Sequence, residues 1–205
     1  MTIIENTALP DSLLKTLPGS YYSDPEIFAC EQEQIFEQMW FCAVSSADLD
    51  KPGAFRTVQV GRESILITRS RTGEARAFFN ICRHRGAQLC TEESGEVKRA
   101  FQCPYHAWTY DLDGKLVAAP NLTKMPDVDR VEYGLRKVHV REWLGYVWVC
   151  LADEAPSFED TVIGDVRGRL GDVESIAVAV PRRSLTAPIT SASNEGGSSA
   201  RHTQA

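Results

Sequence analysis

Short apolar or alternating stretches fill the middle of the chain, from residue 40 to about residue 150. Gly-, Pro- and Asp-containing breakers separate them, and Asp113-Gly114 is a strong hairpin signal. Many short stretches with regular turns predict a mainly β fold, a small antiparallel barrel or sandwich. The predicted strands are 41–44, 55–60, 64–68, 75–79, 98–102, 108–112, 115–117, 135–142 and 146–150. Residues 91–95 are predicted to form a polar loop.

A helical pattern precedes the strands. Ser23-Asp24-Pro25-Glu26 offers a capping side chain, a proline in the first turn and a glutamate placed to reach back. We expect a helix from about Pro25 to Met39 with one apolar face against the body of the protein. Residues 157–170 predict a second, short helix after the strands.

These patterns divide the chain into four parts. Residues 1–39 form a leader and helix, 40–155 the β domain, 156–176 a connection, and 177–205 a tail. The tail is rich in Ser, Thr, Ala, Gly and Arg and has no aromatic residue, so we expect disorder there and weak order at the start of the leader.

Composition narrows the class of protein. The chain has 205 residues, of which 43% are hydrophobic and 24% charged, which is ordinary for a globular domain. A net charge of −6 argues against nucleic acid or an anionic membrane as a partner. No apolar run approaches the roughly 20 residues of a membrane span. The first residues lack the pattern of a secretory signal, so the expected compartment is the cytoplasm.

Two short motifs carry the chemistry. Cys82-x-His84 and Cys103-x-x-His106 each supply one thiolate and one imidazole, and Gly86 lies where the first motif must bend. By spacing alone this set could hold zinc, but a zinc finger pairs like ligands, Cys with Cys and His with His. Mixed pairs suit a [2Fe–2S] cluster in which two Cys bind one iron and two His bind the other. Pro104 permits the bend of the second motif.

The residues around these motifs resemble a known family. The segments 79–86 and 103–110 are similar to the Rieske domain of ring-hydroxylating oxygenase alpha subunits, a family of Rieske non-haem iron oxygenases. The resemblance extends over roughly residues 20 to 175. Ala107 departs from it, because the family usually has glycine there. Respiratory Rieske proteins fit less well, since their extra disulfide cysteines are replaced here by Ala87 and Tyr105.

The resemblance implies a function and its partners. A Rieske domain takes electrons from a reductase or ferredoxin and passes them toward an O2-activating mononuclear Fe(II), and full-length members are expected to form homotrimers. That iron needs two His and a carboxylate. Of four histidines, only His139 and His202 lie outside the two motifs. We therefore expect this chain to hold the cluster but not the mononuclear iron, as a C-terminally truncated alpha subunit. A frameshift near residue 177 is one hypothesis.

Side chains beside the motifs have expected roles. Trp108 and Tyr110 are expected to shield the cluster from water. Arg83 and Arg85 would either stabilise the reduced cluster or pair with acidic loop residues such as Glu92. Without the respiratory disulfide, the potential is expected at the low end of the Rieske range, about −150 mV.

Two other functions compete with the oxygenase. A stand-alone Rieske-type ferredoxin would be shorter and would lack the N-terminal helix. A zinc module would have no redox activity. The remaining cysteines, Cys30, Cys42, Cys90 and Cys150, are expected to be buried free thiols.

Overall fold

The computed structural model describes residues 16–120, 129–171 and 173. Within these residues the chain forms ten strands and two short α-helices. The predicted strands are present, with bounds that shift by a few residues. The strands are β1 (Phe41–Ser45), β2 (Ala54–Val60), β3 (Glu63–Arg69), β4 (Ala75–Phe79), β5 (Ser94–Glu96), β6 (Ala100–Gln102), β7 (Thr109–Asp111), β8 (Leu116–Ala118), β9 (Lys137–Trp143) and β10 (Tyr146–Cys150).

The strands form two antiparallel sheets. Seven of them pair in the order β1-β10-β9-β4-β3-β2-β5, and the other three pair as β6-β7-β8. The larger sheet curls into a half-barrel, so that β1 and β2 come into contact although they are not paired. The predicted mainly β antiparallel fold is therefore confirmed.

The strand β5 corrects the predicted polar loop at residues 91–95. Its residues are exposed and polar, but Gly95 pairs with Phe55 along the free edge of β2. Open backbone donors and acceptors on a strand edge recruit a neighbour whatever its side chains are. The side-chain pattern of a segment does not predict a strand of this kind.

Strand β3, in the interior of the larger sheet, separates two apolar clusters. Leu66 points into one cluster, whereas Ile65 and Ile67 point into the other, and all three are fully buried. Alternating side chains face opposite sides of a strand, so β3 is covered on both faces. Burying each such side chain stabilises the fold by about 2 kcal/mol. The Leu66 cluster also contains Cys82 and Cys103, so this core extends directly to the two motifs.

The N-terminal helix begins as predicted but packs less than expected. Helix α1 (Pro25–Glu31) is capped by Asp24, which accepts a 2.9 Å hydrogen bond from the Glu26 N–H. A π-helical turn, Gln32–Phe36, extends it, so it ends before Met39. Phe36 stacks on Phe41 at 5.3 Å, but Phe28 remains 59% exposed. The end of the helix reaches the sheet whereas Phe28 does not, so the expected apolar face packs against the body of the protein only in part.

The segment after β10 returns to the start of the β domain. The Trp40 indole N–H donates a 2.8 Å hydrogen bond to the Pro156 carbonyl, and Phe158 is buried against Trp40, Trp143 and Trp148. A π-helical turn, Glu159–Ile163, then leads into α2 (Gly164–Leu170), which confirms the second predicted helix.

Other expectations fall outside the structure. The predicted tail at 177–205, including His202, and most of the predicted leader lie outside the described residues. The division of the chain at residue 155 stays a prediction. None of the helices in the described ranges is long and apolar enough to cross a membrane.

Candidate metal centre

The first motif forms a tight loop at the end of β4. The Cys82 N–H donates to the Ala87 carbonyl at 2.8 Å, and the Gly86 N–H donates to the Cys82 carbonyl at 3.0 Å. Gly86 closes the loop in the left-handed region, with φ +72°, and a Cβ there would meet no atom within 4 Å. Glycine is needed for its backbone conformation and not for space. The sequence had indicated this bend.

The second motif, between β6 and β7, repeats the same hydrogen bonds. The Cys103 N–H donates to the Trp108 carbonyl at 2.8 Å, and the Ala107 N–H donates to the Cys103 carbonyl at 3.0 Å. Ala107 occupies the position equivalent to Gly86, with φ +57°. A left-handed alanine costs about 1 kcal/mol. The residue that closes this loop is therefore Ala107, whereas the sequence had pointed to Pro104.

The two loops bring the four predicted side chains together as two pairs. Cys82 and Cys103 are each only 2% exposed, and they lie behind the loops in the apolar core. His84 and His106 are exposed, with their Nδ1 atoms 3.1 Å apart and their rings nearly perpendicular. The thiols therefore face inward and the imidazoles outward.

Neighbouring groups act on the ionisation of these pairs. Burial raises the pKa of the Cys82 thiol, the Tyr110 hydroxyl and the His84 backbone N–H lower it, and the Cys103 thiol raises it further. Desolvation lowers the pKa of His84, and the positive charges of His106 and Arg85 lower it further. A neutral imidazole is the form that binds a metal, so His84 is disposed to act as a ligand.

The geometry fits a [2Fe–2S] cluster better than a single ion. Two nitrogens that each lie about 2.1 Å from one tetrahedral metal are about 3.4 Å apart, near the 3.1 Å between the two Nδ1 atoms. In the described part of the chain, no three His, Cys, Asp or Glu side chains converge on one point. Zinc would need all four donors at one point. Two separate pairs of donors suit two irons instead.

Trp108 covers one face of a histidine. Its indole stacks on His84 at 4.9 Å with an angle of 13° between the ring planes, and Trp108 itself is only 4% exposed. The ring of Tyr133 packs edge-to-face against the same indole, with the two ring centroids 5.6 Å apart. These contacts fix the orientation of the His84 ring and exclude water from one side of it.

Tyr110 makes contacts that sequence reasoning missed. Its side chain is fully buried, its hydroxyl oxygen accepts a 3.0 Å hydrogen bond from the Arg83 N–H, and it lies 3.3 Å from the Cys82 sulfur. Burial, and next the contact with Cys82, raise the pKa of the Tyr110 phenol, so it stays protonated. The alternation of β7 indicates that Tyr110 points inward, but nothing in the sequence pairs it with a loop 27 residues earlier.

Two cations flank the exposed imidazoles. Arg83 and Arg85 are exposed, and no carboxylate of the described residues lies within ion-pair distance of either. The anticipated pairing with Glu92 is therefore not formed. Tyr105, beside His106, is 72% exposed. The outer surface of the loops is thus basic and aromatic.

Among the described residues, four further cysteines and His139 do not belong to the two Cys/His pairs. Cys150 is buried and Cys90 partly buried, and burial raises the pKa of Cys90 to about 11. Cys30 and Cys42 are exposed, so the expectation that all four are buried is wrong for these two. His139 is exposed and its Nε2 lies 3.1 Å from the Asp153 carbonyl, as a structural histidine would.

The curled antiparallel sheet with two Cys/His loops defines a Rieske iron–sulfur domain. Residues 39–135 match the family described as the Rieske [2Fe-2S] domain. The chain is 39% identical over 71% of its length to the glycine betaine monooxygenase oxygenase subunit of Pseudomonas aeruginosa PAO1, covering 33% of it. It is 36% identical over 73% of its length to the carnitine monooxygenase oxygenase subunit of Escherichia coli K12, covering 40% of it.

Solved structures agree with these relatives. The apo quaternary ammonium Rieske monooxygenase CntA superposes with a TM-score of 0.70 at 34% identity, over 75% of this chain and 44% of that one. Naphthalene 1,2-dioxygenase from Rhodococcus sp. gives a TM-score of 0.69 at 30% identity, over 74% and 34%. The chain belongs to the Rieske oxygenase family. It spans 33% and 40% of the lengths of the two curated relatives above.

Proposed function

We propose that Cys82 and Cys103 bind one iron of a [2Fe–2S] cluster and that His84 and His106 bind the other. We further propose that the domain receives single electrons from a reductase or ferredoxin and passes them toward an O2-activating iron. The observation that carries this proposal is the 3.1 Å approach of the two exposed Nδ1 atoms above a pair of buried thiols.

The two pairs of ligands have different tasks. When bound, the cluster supplies a one-electron carrier. Cys82 and Cys103 anchor it inside the apolar core, where water is excluded. His84 and His106 add no charge, whereas each thiolate adds a negative charge, so reduction costs least on the histidine side. That side is the exposed one, and a partner protein can approach it closely.

The surface around the histidines suits an acidic electron donor. Arg83 and Arg85 have no counter-ion among the described residues, and Tyr105 offers an exposed aromatic face beside His106. Complementary charge speeds the encounter of two proteins and makes its rate depend on salt. In a full-length oxygenase, a homotrimer is the expected assembly.

The O2-activating mononuclear Fe(II) is proposed to be bound by residues other than those described here. The histidines support this proposal. His84 and His106 are assigned to the cluster, and His139 contacts a backbone carbonyl. The alternative, a stand-alone Rieske-type ferredoxin, is less well supported, because the relatives found are named as oxygenase subunits or oxygenases.

Anaerobic reconstitution of the purified chain with iron and sulfide tests the ligand assignment. We expect two irons and two sulfides per chain and two inequivalent iron sites by Mössbauer spectroscopy. Electron–nuclear double resonance should detect two coupled histidine nitrogens in the reduced protein. His84→Ala leaves one donor in its pair and should lose both the cluster and the nitrogen couplings. His139→Ala is the matched control and should change neither.

Other outcomes would contradict the proposal. One zinc ion per chain, or a spectrum of four equivalent thiolates, would be incompatible with two Cys/His loops around two irons. A midpoint potential well above zero, in place of about −150 mV, would argue against the oxygenase type of Rieske domain.

A further inference from the structure

The two loops of the metal centre are attached to the fold in different ways. The second loop extends from the regular ladder of β6 with β7, in which Gln102 faces Thr109. The first loop follows β4, which ends at Phe79, and among the described residues its two limbs share the isolated bridge between Ile81 and Gln88. Both loops are closed by equivalent backbone hydrogen bonds, so the difference lies at the base of each loop.

The side chain of Asn80 joins the two limbs at the base of the first loop. Its Oδ1 accepts a 2.9 Å hydrogen bond from the Cys90 N–H, and its Nδ2 donates a 2.8 Å hydrogen bond to the Cys90 carbonyl. A backbone N–H can only donate and a carbonyl can only accept, so these two bonds fix the orientation of the carboxamide. The carboxamide thus pairs with Cys90 in both directions, as a backbone residue does in an antiparallel ladder.

Further hydrogen bonds of Asn80 tie this base to the larger sheet. Its Nδ2 also donates to the Ser64 Oγ at 3.1 Å, and its backbone N–H donates to the Ser64 carbonyl at 2.8 Å. Its own carbonyl accepts from the Leu89 N–H at 3.2 Å. Asn80 is completely buried, and each of its N–H donors has a partner. Because water does not compete for a buried and fully paired amide, these bonds hold the loop firmly.

The position of the first loop matters because the two Cys/His pairs are carried by separate sheets. β4 belongs to the seven-stranded sheet, whereas β6 and β7 belong to the three-stranded sheet. The spacing between the pairs therefore depends on how each loop is attached to its own sheet. Asn80 lies two residues before Cys82, so a displacement at Asn80 is passed on to the first pair of donors.

We propose that Asn80 is a positioning residue, whose buried carboxamide holds the first Cys/His pair at the spacing from the second pair that a two-iron cluster requires. The inference rests on the ligand assignment proposed above. Side chains that orient metal ligands without touching the metal typically change metal affinity about 10–100-fold when they are removed. Asn80 is such a side chain, because its contacts are made with Cys90 and Ser64 and not with the four donors.

Asn80→Ala removes the carboxamide and tests this role. We expect the reconstituted protein to lose iron to a chelator at least about tenfold faster than the unmodified protein. The electron paramagnetic resonance spectrum of the reduced protein should also broaden and its g values should shift, because the first pair of donors is no longer held in one position.

Thr68→Val is the matched control. Thr68 is also completely buried, and its hydroxyl donates a 2.9 Å hydrogen bond to the Ala54 carbonyl, four residues along β3 from Ser64 and away from the loops. This variant should lower the stability to denaturant but keep the g values and the rate of iron loss of the unmodified protein.

A second substitution keeps the test decisive if Asn80→Ala does not fold. Asn80→Asp preserves the shape of the side chain and the acceptor for the Cys90 N–H, but an oxygen replaces the donor that faces the Cys90 carbonyl. We expect faster iron loss, shifted g values, and faster hydrogen exchange of residues 88–90 by mass spectrometry. Exchange in the hairpin of β2 and β3 should stay unchanged, whereas a general loss of stability would accelerate exchange in both segments.

The outcomes distinguish this inference from the proposed function. If the unmodified chain assembles no cluster with mixed ligands, the proposed function fails before Asn80 is tested. If the cluster assembles but the Asn80 variant that folds keeps the iron and the g values of the unmodified protein, the role of Asn80 is overturned and the ligand assignment stands. Equal acceleration of iron loss in that variant and in Thr68→Val would also overturn it, because the effect would then be one of general stability.

Discussion

The charged groups near the two ends of strand β4 are in opposite environments: they are buried and paired at one end and, within the part of the chain that the structure describes, exposed and unpaired at the other. At the start of β4, Arg69 bonds the carbonyls of Leu49 and Gly73 and forms a bidentate ion pair with Glu142, at 2.7 and 3.0 Å. At the other end lie the loops of the metal centre, where Arg83 and Arg85 are exposed and have no ion-pair partner among the described residues.

This difference separates stability from function within one small domain. The Arg69 side chain is only 10% exposed, and its donors are matched by acceptors from three segments of chain. Such a network stabilises the fold and leaves no group free to act on a partner. The loop end keeps its imidazoles and cations accessible. Substitutions at the two ends should therefore affect different measurements.

The largest expected effect is the loss of the cluster from the loop end. Cys103→Ala removes a buried thiol that we propose as a ligand. It should reduce the bound iron from about two ions per chain to nearly none, because a pair with one donor no longer holds its metal. Cys150→Ala, at a buried cysteine outside the loops, is the control and should keep full iron content. Iron analysis and the visible spectrum after reconstitution make the measurement. Full iron content in Cys103→Ala would contradict the proposal, because it would show that Cys103 is no more necessary for iron binding than Cys150.

The next largest effect is a loss of stability on substitution of Arg69, near the start of β4. Arg69→Met breaks the ion pair and leaves several carbonyls without a donor, so it should lower the free energy of unfolding by about 2–3 kcal/mol. Arg71→Met, at an exposed position, should change it by about 0.5 kcal/mol or less. Denaturant titration measures both. The potential of the cluster should not change in either variant, and a shifted potential in Arg69→Met would show that the two ends are coupled.

A smaller effect compares the two loops with each other. Gly86→Ala introduces a left-handed alanine and should destabilise the protein by about 1 kcal/mol. Ala107→Gly relieves the same strain in the second loop and should stabilise it by up to about 1 kcal/mol, less the entropy that glycine loses on folding. Thermal unfolding of the reconstituted proteins measures both, and each variant serves as the other's control. Changes of the same sign would mean that the two loops are not equivalent.

The smallest expected effect is a dependence of stability on pH. The hydrogen bond from Arg69 depresses the pKa of Glu142, although burial acts in the opposite direction. A depressed carboxyl pKa contributes stability that is present above the unfolded pKa, about 4.3, and is lost as the pH falls through the folded value. Glu142→Gln should therefore flatten the pH dependence of the free energy of unfolding below about pH 4.3.

Denaturant titrations of both proteins at several acidic pH values measure this slope. Glu154→Gln, at an exposed carboxylate, is the control and should keep the slope of the unmodified protein. Equal slopes in Glu142→Gln and the unmodified protein would show that the ion pair does not contribute in acid.

Much of the β architecture could be predicted from local pattern alone. β3 reads as a continuous apolar run because both of its faces are buried, and Asp113-Gly114 joins β7 to β8 as the hairpin signal required. β5 could not be predicted, because its pairing depends on the open edge of β2 and not on its own side chains. The exposure of Phe28 could not be predicted either, because an apolar helix face does not show which residues cover it.

The sequence by itself determined the donor groups of the candidate metal centre, namely two thiols and two imidazoles, and the glycine that lets the first loop close. These depend on spacings of a few residues, and short spacings fix local geometry. Only the tertiary structure decided that the Nδ1 atoms of His84 and His106 face each other at 3.1 Å and that the Tyr110 hydroxyl reaches Cys82. Those contacts join residues more than 20 positions apart, and packing of the two sheets sets such distances.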